Sequence, residues 1–385
     1  GTLGRIDTSG AITQHPLVDG LDEEAAGAQS LSVGSDGLWV LADNGDHAIL
    51  RRVDGQRAKV KVPSFTGASS ILAEPAAGGG VWLGDFMGEG VFRVTATELK
   101  RIGVEFERPG VMAKGSDGEV WLADDDGGAL QRMTDAGDVR AFPLPGPCRP
   151  SLGCSLPRIT SMVTGPDGHL WYTRSGLRTI TAGTYKGFSR STAYVGRMAT
   201  NGRAKEWPLP NPKLGPHAMV VGPDRALWFA TADGLGRVTP GGRLRMMDLP
   251  GGRTANSIAF GPDRALWFTD DKLNRISRIT MPAAIALAGP EIRSTALRLA
   301  GNRIRVKLAC PAGAGVCRGR VTVKTGPNVA ATAPYLVRPG RVATVATRLK
   351  SGKAPALRGK RTRVEIAVTP KGGATGDSRE VLLRG

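Results

Sequence analysis

The side chains here best suited to proton or metal chemistry are four histidines and a recurring set of aspartates. The histidines are His15, His47, His169 and His217, the last within "GPHAMV". A neutral imidazole can remove a proton near pH 7, and carboxylates supply the oxygen ligands that hard divalent cations take. Asp85, Asp124 and Asp270 each stand three residues after a tryptophan, and Asp43 and Asp271 stand four after one. Aspartate at a strand end commonly caps a turn by bonding neighbouring backbone, and this is the reading favoured for most of them. If equivalent positions converge in space, they form instead a ring of carboxylates able to hold a cation or a polyhydroxyl ligand.

The four cysteines form two close pairs. Cys148 and Cys154 bracket "RPSLG", and Cys310 and Cys317 bracket "PAGAGV". Zinc favours C-x2-C spacing or companion histidines, and neither pair has them. Two short disulfide-closed loops are expected, which places the protein in an oxidising compartment, secreted or in the cell envelope. The chain begins at Gly1 rather than Met, as expected after processing or a cut. It contains no run of eighteen apolar residues, the length of a helical membrane span.

The elements that must position these groups come from a repeat. "GPDRALWF" occurs at Gly222–Phe229 and again at Gly261–Phe268. Related units centre on Trp39, Trp82, Trp121 and Trp171, each followed by a second apolar piece such as "GVFRVT" or "LGRVTP" and most by a third ending in proline, as in "AKEWPLP". A period near 40 with several short alternating strands is the sign of a β-propeller blade. Gly-Pro-Asp-Gly makes the turn, "LWF" an inner strand, and "GRVT" its neighbour. A single blade cannot bury both its faces, so the tryptophans are expected between adjacent blades. The opening "LGRIDTSGAITQHPL" is the second half of a unit. Seven blades with the first incomplete are expected, six with an extra strand pair being the alternative. In this frame His15 falls in an outer strand, His169 in a turn and His47 in a loop, and none is assigned a role.

Charge separates the chain in two. The formal net charge is +18, yet residues 1–282 carry only +2, because the remainder holds 20 Lys+Arg against 4 Asp+Glu. A propeller over 1–282 and a basic domain over 283–385 are therefore expected. The second part alternates cleanly, as in "STALRLAGNRIRVKLACP" and "TRVEIAVTPKG", and reads as an immunoglobulin-like β-sandwich. Its only aromatic residue is Tyr335, so it offers no platform for stacking single-stranded bases. It carries no base-reading motif either, and no specific nucleic acid is expected. Attraction to an anionic cell-envelope surface suits the charge better, and simple solubility is the plainer alternative. A monomer is expected.

The pattern P-H-x-I, then G-x-D-G-x-L-W-F, then a G-R-I-T piece and a P-L-P ending resembles the virginiamycin B lyase (streptogramin lyase) family of seven-bladed propellers. The likeness covers roughly residues 1–281 and is best over 215–280. It implies a lyase that opens a cyclic peptide antibiotic at its ester by elimination. A histidine removes the proton beside the carbonyl, and a magnesium ion near the channel stabilises the enolate. His217 occupies the family's first histidine position. Asn256 stands where the catalytic histidine belongs, Thr254 where the preceding glutamate belongs, and Asp271 where a trailing glutamate follows the last tryptophan. Asp270 and Asp271 are the candidate magnesium ligands. Asparagine cannot act as a base near pH 7, so the set is broken at its base. Two classes of function follow: a secreted propeller that binds a ligand or envelope component at its channel mouth, or a magnesium-dependent carbon–oxygen lyase acting on a cyclic ester.

Overall fold

The Gly-Pro-Asp turn is where local sequence becomes structure. In the computed structural model the turn closes with a hydrogen bond from the fourth residue's N–H to the first glycine's carbonyl, as from Gly168 to Gly165 and from Arg264 to Gly261. The fourth residue takes a left-handed conformation, natural for Gly118 (φ 82°) and Gly168 (φ 73°) but carried by Arg225 (φ 56°) and Arg264 (φ 59°) in the two identical units. The structure describes residues 2–16, 28–34, 37–43, 48–53, 59–62, 68–73, 80–85, 90–95, 99–102, 109–124, 128–145, 158–179, 189–211, 215–249, 253–281, 290–310, 316–326, 328–350, 357, 359–370 and 378–385.

The turn aspartate does more than cap backbone. Its carboxylate accepts the indole N–H of the tryptophan four residues on: Asp117 from Trp121 at 3.3 Å, Asp167 from Trp171 at 2.9 Å, Asp224 from Trp228 at 3.1 Å and Asp263 from Trp267 at 3.3 Å. The residue paired directly across from each tryptophan on the next strand is arginine: Arg132, Arg197, Arg237 and Arg278. Each returns to the same aspartate, at 3.5, 3.0, 2.7 and 2.7 Å respectively. One carboxylate thus fixes turn, inner strand and neighbouring strand together. The first glycine leaves room for this: a Cβ on Gly222 would lie 2.7 Å from the Trp228 indole and 2.5 Å from Asp224 Oδ1.

The chain divides into two compact units, Gly1–Met219 and Val220–Gly385. In the first, a two-stranded sheet (Thr2–Ile6, Ile12–Pro16) precedes three four-stranded meanders spanning Ala28–Val62, Ala68–Ile102 and Pro109–Pro143, and a fourth running from Arg158 to Pro208. First strands of successive meanders lie side by side, and side chains interleave between blades. Trp82 packs with Met112, Val120 and Leu122 of the following sheet, and Trp121 with Ile159, Met162 and Leu170 of the one after. Position three before the turn glycine is buried at Met112, Met162, Met219 and Ile258, all below 9% exposed, and Met112 and Met162 pack against the preceding blade, whereas Leu31 is 53% exposed. Among the described residues a two-stranded sheet comes before it.

In the second unit, Leu227–Thr231, Gly234–Val238 and Leu244–Asp248 form one meander, and Ile258–Phe260, Leu266–Asp270 and Arg275–Ile279 a three-stranded sheet. Trp39, Trp82, Trp121, Trp171 and Trp228 are fully buried. Trp267 is only half-buried, against the expectation for every repeat tryptophan. The reason lies in the fourth strand, which supplies Phe142 to stack on Trp121 and Trp207 to stack on Trp171, and which this sheet lacks among the described residues.

The boundary expected at 282/283 lies inside the second unit, within the stretch 282–289 that is outside the described residues. Beyond it the alternating strands are present as expected, and their hydrogen bonding runs as a closed ring of seven rather than as two separate sheets. From Arg303–Ala309 it passes through Ala296–Ala300, Ser378–Arg384, Arg361–Pro370, Cys317–Thr325, Asn328–Val337 and Val342–Leu349 and back to the start. The strand Asn328–Val337 closes it, pairing with Cys317–Thr325 and, through Ala331 and Thr332, with Val342–Leu349. Ile304, Val306, Val321, Val323, Ile366 and Leu383 fill the interior. The expected Cys310–Cys317 disulfide is formed; Cys148 and Cys154 lie outside the described residues. Glu291 ties barrel to repeat, pairing with Arg243 and with Arg245 at 3.1 Å beside the strand Leu244–Asp248, and with Arg293 at 3.0 Å.

Trp228→Ala should destabilise the protein by about 3–5 kcal/mol, the usual cost of emptying a buried aromatic site. Arg264→Gly should raise the unfolding midpoint, since relief of a left-handed non-glycine residue is worth about 1 kcal/mol. Urea unfolding checks both, and an unchanged midpoint for Trp228→Ala would break the blade register. Partial burial pulls the Asp263 carboxyl up, but hydrogen bonds from Arg278, the Ala265 N–H and Trp267 outweigh it and hold it below the usual carboxylate range. A depressed folded-state pKa gives stability that is present above the unfolded value, about 3.9, and is lost as pH falls through the folded one. Asp263→Asn should therefore melt below the parent at pH 7, with the gap narrowing on acidification below about pH 4.

Candidate functional site

The last sheet carries its polar groups at one end. Leu266–Asp270 runs out into a turn at Asp271–Asn274, and the segment 253–257 leads into the paired strand Ile258–Phe260 alongside. Backbone bonds join the two: Asn256 N–H to the Thr269 carbonyl at 3.1 Å, and Thr269 N–H to the Ser257 carbonyl at 3.0 Å. This ladder brings together the four positions that the sequence singles out here. The Asn256 side-chain amide donates to Asp271 Oδ2 at 3.0 Å, and the Thr254 hydroxyl to Asp270 Oδ1 at 3.4 Å.

The two aspartates have different roles. Asp270 is 1% exposed. It accepts from Thr254 and from the Leu273 N–H at 3.3 Å, and its second oxygen lies 3.9 Å from Arg275 Nε. That is the turn-capping reading, and it turns the carboxylate inward. Asp271 is exposed and faces Asn256. Two carboxylates so engaged, one inward and one on an amide, do not fit a shared magnesium ion. Among the described residues no group of three or more His, Cys, Asp and Glu side chains is placed to hold a metal. Asp43, Asp85 and Asp124 end their strands, as the repeat requires, but their side chains are not among those described.

His217 belongs to the other unit and is described by itself. It lies half-buried on the strand Pro216–Val221, where its carbonyl accepts the Thr173 hydroxyl at 3.1 Å and the Met219 N–H donates to Ser161 at 2.9 Å. Its backbone is pinned, while the imidazole has no hydrogen-bond partner among the described residues. His169, in its turn, contacts the Asp167 carbonyl at 2.9 Å and Arg197 at 3.0 Å. His15 is exposed on its strand, and His47 lies outside the described residues.

A second polar cluster was not foreseen. Arg174 and Glu206, 3% and 7% exposed, pair at 2.6 Å; Tyr172 donates to Glu206 at 2.8 Å, and Arg174 also donates to the Pro145 carbonyl at 2.6 Å. Burial pushes Glu206 above the usual carboxylate range against the opposing pull of Arg174 and Tyr172. Burial, then the Glu206 charge, pushes the Tyr172 hydroxyl up as well. The sequence did hold a signal: Arg174 stands three after its tryptophan, the offset filled by Asp270 in the last unit.

Tryptophan-centred meanders with polar groups at the strand ends define a β-propeller. The chain is similar to virginiamycin B lyases: residues 149–290 match the Virginiamycin B lyase family. The chain is 30% identical over 216 residues to virginiamycin B lyase of Nocardia farcinica, an alignment covering 54% of this chain and 66% of that protein's length. Among solved structures, a catalytically inactive virginiamycin B lyase from Staphylococcus aureus with quinupristin superimposes with a TM-score of 0.56, at 21% identity, over 73% of this chain and 88% of that one. A selenomethionine-substituted form of the Staphylococcus aureus enzyme gives a TM-score of 0.51 at 20% identity, over 73% and 91% of the respective chains. At that identity the structures show a shared fold.

Asp270→Ala should destabilise by about 1–3 kcal/mol, the cost of stranding buried hydrogen-bond donors. Asp271→Ala should stay within about 0.5 kcal/mol, as for an exposed residue. Urea melts of the two variants check this, and equal losses would contradict the division of labour between these neighbours.

Proposed function

We propose that this propeller binds a small polar or polyhydroxyl ligand at its blade ends, outside the cytoplasm, without performing the family's elimination. The observation that carries the reading is Asn256 with its amide bonded to Asp271. Elimination requires a group that takes a proton in the transition state. An amide has no such basicity, and here its N–H is already directed at a carboxylate. The same pair recognises hydroxyl and amide groups well, with Asp271 as acceptor and the Asn256 carbonyl oxygen as a second. The disulfide Cys310–Cys317 supports an oxidising location.

A second reading rests on His217. Its half-buried imidazole, without a hydrogen-bond partner among the described residues, is a candidate base for a carbon–oxygen lyase acting on a cyclic ester. Magnesium would supply enolate stabilisation in such a reaction. Asp271 is the exposed carboxylate of the last blade in reach of added cation.

The test follows a type B streptogramin by mass, with and without chelator, for the parent and for Thr254→Glu/Asn256→His. Loss of a general base typically costs 10²–10⁴-fold, so the parent should turn over weakly or not at all and the double variant should gain magnesium-dependent ring opening. Robust chelator-sensitive turnover by the parent, abolished in His217→Ala, would replace the binding reading with the lyase one.

A further inference from the structure

The wall of the C-terminal barrel carries arginines in register. Arg298 pairs directly with Arg384 on the parallel strand beside it, and Arg384 pairs directly with Arg361 on the next. On the next two strands in the other direction, Arg303 pairs directly with Arg348. These residues alternate with the inward-facing Leu297, Leu383 and Ile304, so all five, and Arg305 beside them, are exposed on the outer wall. The five strands are consecutive around the ring. Among the described residues none of these six has an ion-pair partner. The acids on these strands, Glu365 and Glu380, pair with each other in the register four residues along from Arg361 and Arg384.

Like charges directly opposite on neighbouring strands destabilise a sheet. A random basic surface would scatter its arginines among acids, and the same charge could be placed without facing pairs. Here the cost is met three times, Arg298–Arg384, Arg384–Arg361 and Arg303–Arg348, on one continuous wall. Such an arrangement is relieved by an external anion, and guanidinium suits carboxylate or sulfate oxygens in bidentate contact.

We propose that this wall binds a linear acidic polysaccharide lying across the strands. Neighbouring strands are about 4.8 Å apart, so the row offers one cation at each such step, the length scale of one charged sugar after another. Duplex nucleic acid is disfavoured because no helix, ribbon or amide side chain in the row reads a groove. A lipid surface is disfavoured because the row contains no aromatic anchor. This inference does not depend on the propeller's ligand.

The experiment uses the full chain and sodium polygalacturonate as the probe, with affinity measured from 50 to 150 mM NaCl. Arg298→Gln/Arg361→Gln/Arg384→Gln should weaken binding at least tenfold and lower the slope of log K against log salt by about two to three, one for each lost contact. Arg303→Gln/Arg348→Gln should give a smaller loss in the same direction. The control Arg318→Gln/Arg320→Gln/Arg338→Gln removes equal charge from outside the row and should change affinity no more than about twofold. Relief of facing charges should leave the row variant melting at or above the parent. Equal loss in row and control variants would overturn the proposal, as would tighter parental binding to random duplex DNA or to phosphatidylglycerol vesicles than to the polysaccharide. So would a parent that ignores polygalacturonate at 50 mM salt, or a row variant that melts lower.

Discussion

The turn carboxylate that holds an indole on one side and a guanidinium on the other is the constraint on which the repeat depends. A buried tryptophan contributes a large apolar area but brings one N–H that must be bonded. Placing aspartate four residues earlier answers that need, and arginine directly across the pair neutralises the carboxylate. Packing alone would accept other large apolar side chains in place of "LW". The polar triangle explains why Asp, Trp and Arg recur together with a glycine that clears their path. In two units arginine holds even the left-handed turn position, so the triangle tolerates backbone strain that the turn by itself would avoid.

A scaffold fixed at the start of each inner strand leaves the strand's other end free to differ. Three residues after tryptophan the chain places an inward carboxylate at Asp270, a buried guanidinium at Arg174 and a buried hydroxyl at Thr231. Only the first is used to tie down its own turn. Arg174 reaches instead to Glu206 and Pro145, clamping the end of its blade with a buried ion pair. Breaking such a pair costs more than forming it contributes, so the cluster specifies one arrangement of strands. The candidate site on the last blade is softer: its outer members, Asn256 and Asp271, are exposed and bonded to each other.

What was legible in the sequence was whatever the repeat writes more than once. Strand order, turn position and burial of five tryptophans follow from aligned copies, and so does the meeting of residue 256 with residue 271 across one strand pair. The partial exposure of Trp267 was not legible, because it depends on a fourth strand that its sheet lacks among the described residues. Nor was the second role of the turn aspartate, since a capping carboxylate and an indole acceptor have the same sequence offset until coordinates separate them. Asp270 and Asp271 illustrate the limit most sharply. Adjacent and chemically identical, they suggest a metal pair, yet alternation along a strand end sends one inward and the other to solvent.

The barrel obeys the opposite logic. Its interior is mostly Ile, Val and Leu, joined by Ala330, Ala331 and Tyr335, with no polar triangle among the described residues to set register, so period-two alternation, the ring of backbone bonds and one disulfide carry that task. Nothing inside therefore constrains what the outer positions hold, and arginine is as compatible with the fold as any solvated side chain. Local energetics would still disperse like charges, because facing pairs repel and scattered ones do not. The concentration on five consecutive strands of arginines with no ion-pair partner among the described residues thus has no source in the packing of the module. The triangle in the propeller and the row on the barrel use the same side chain for contrary ends. In the first, arginine is satisfied by a carboxylate of its own chain and is structural. In the second it has no ion-pair partner among the described residues, and the partner proposed for it is an external anion.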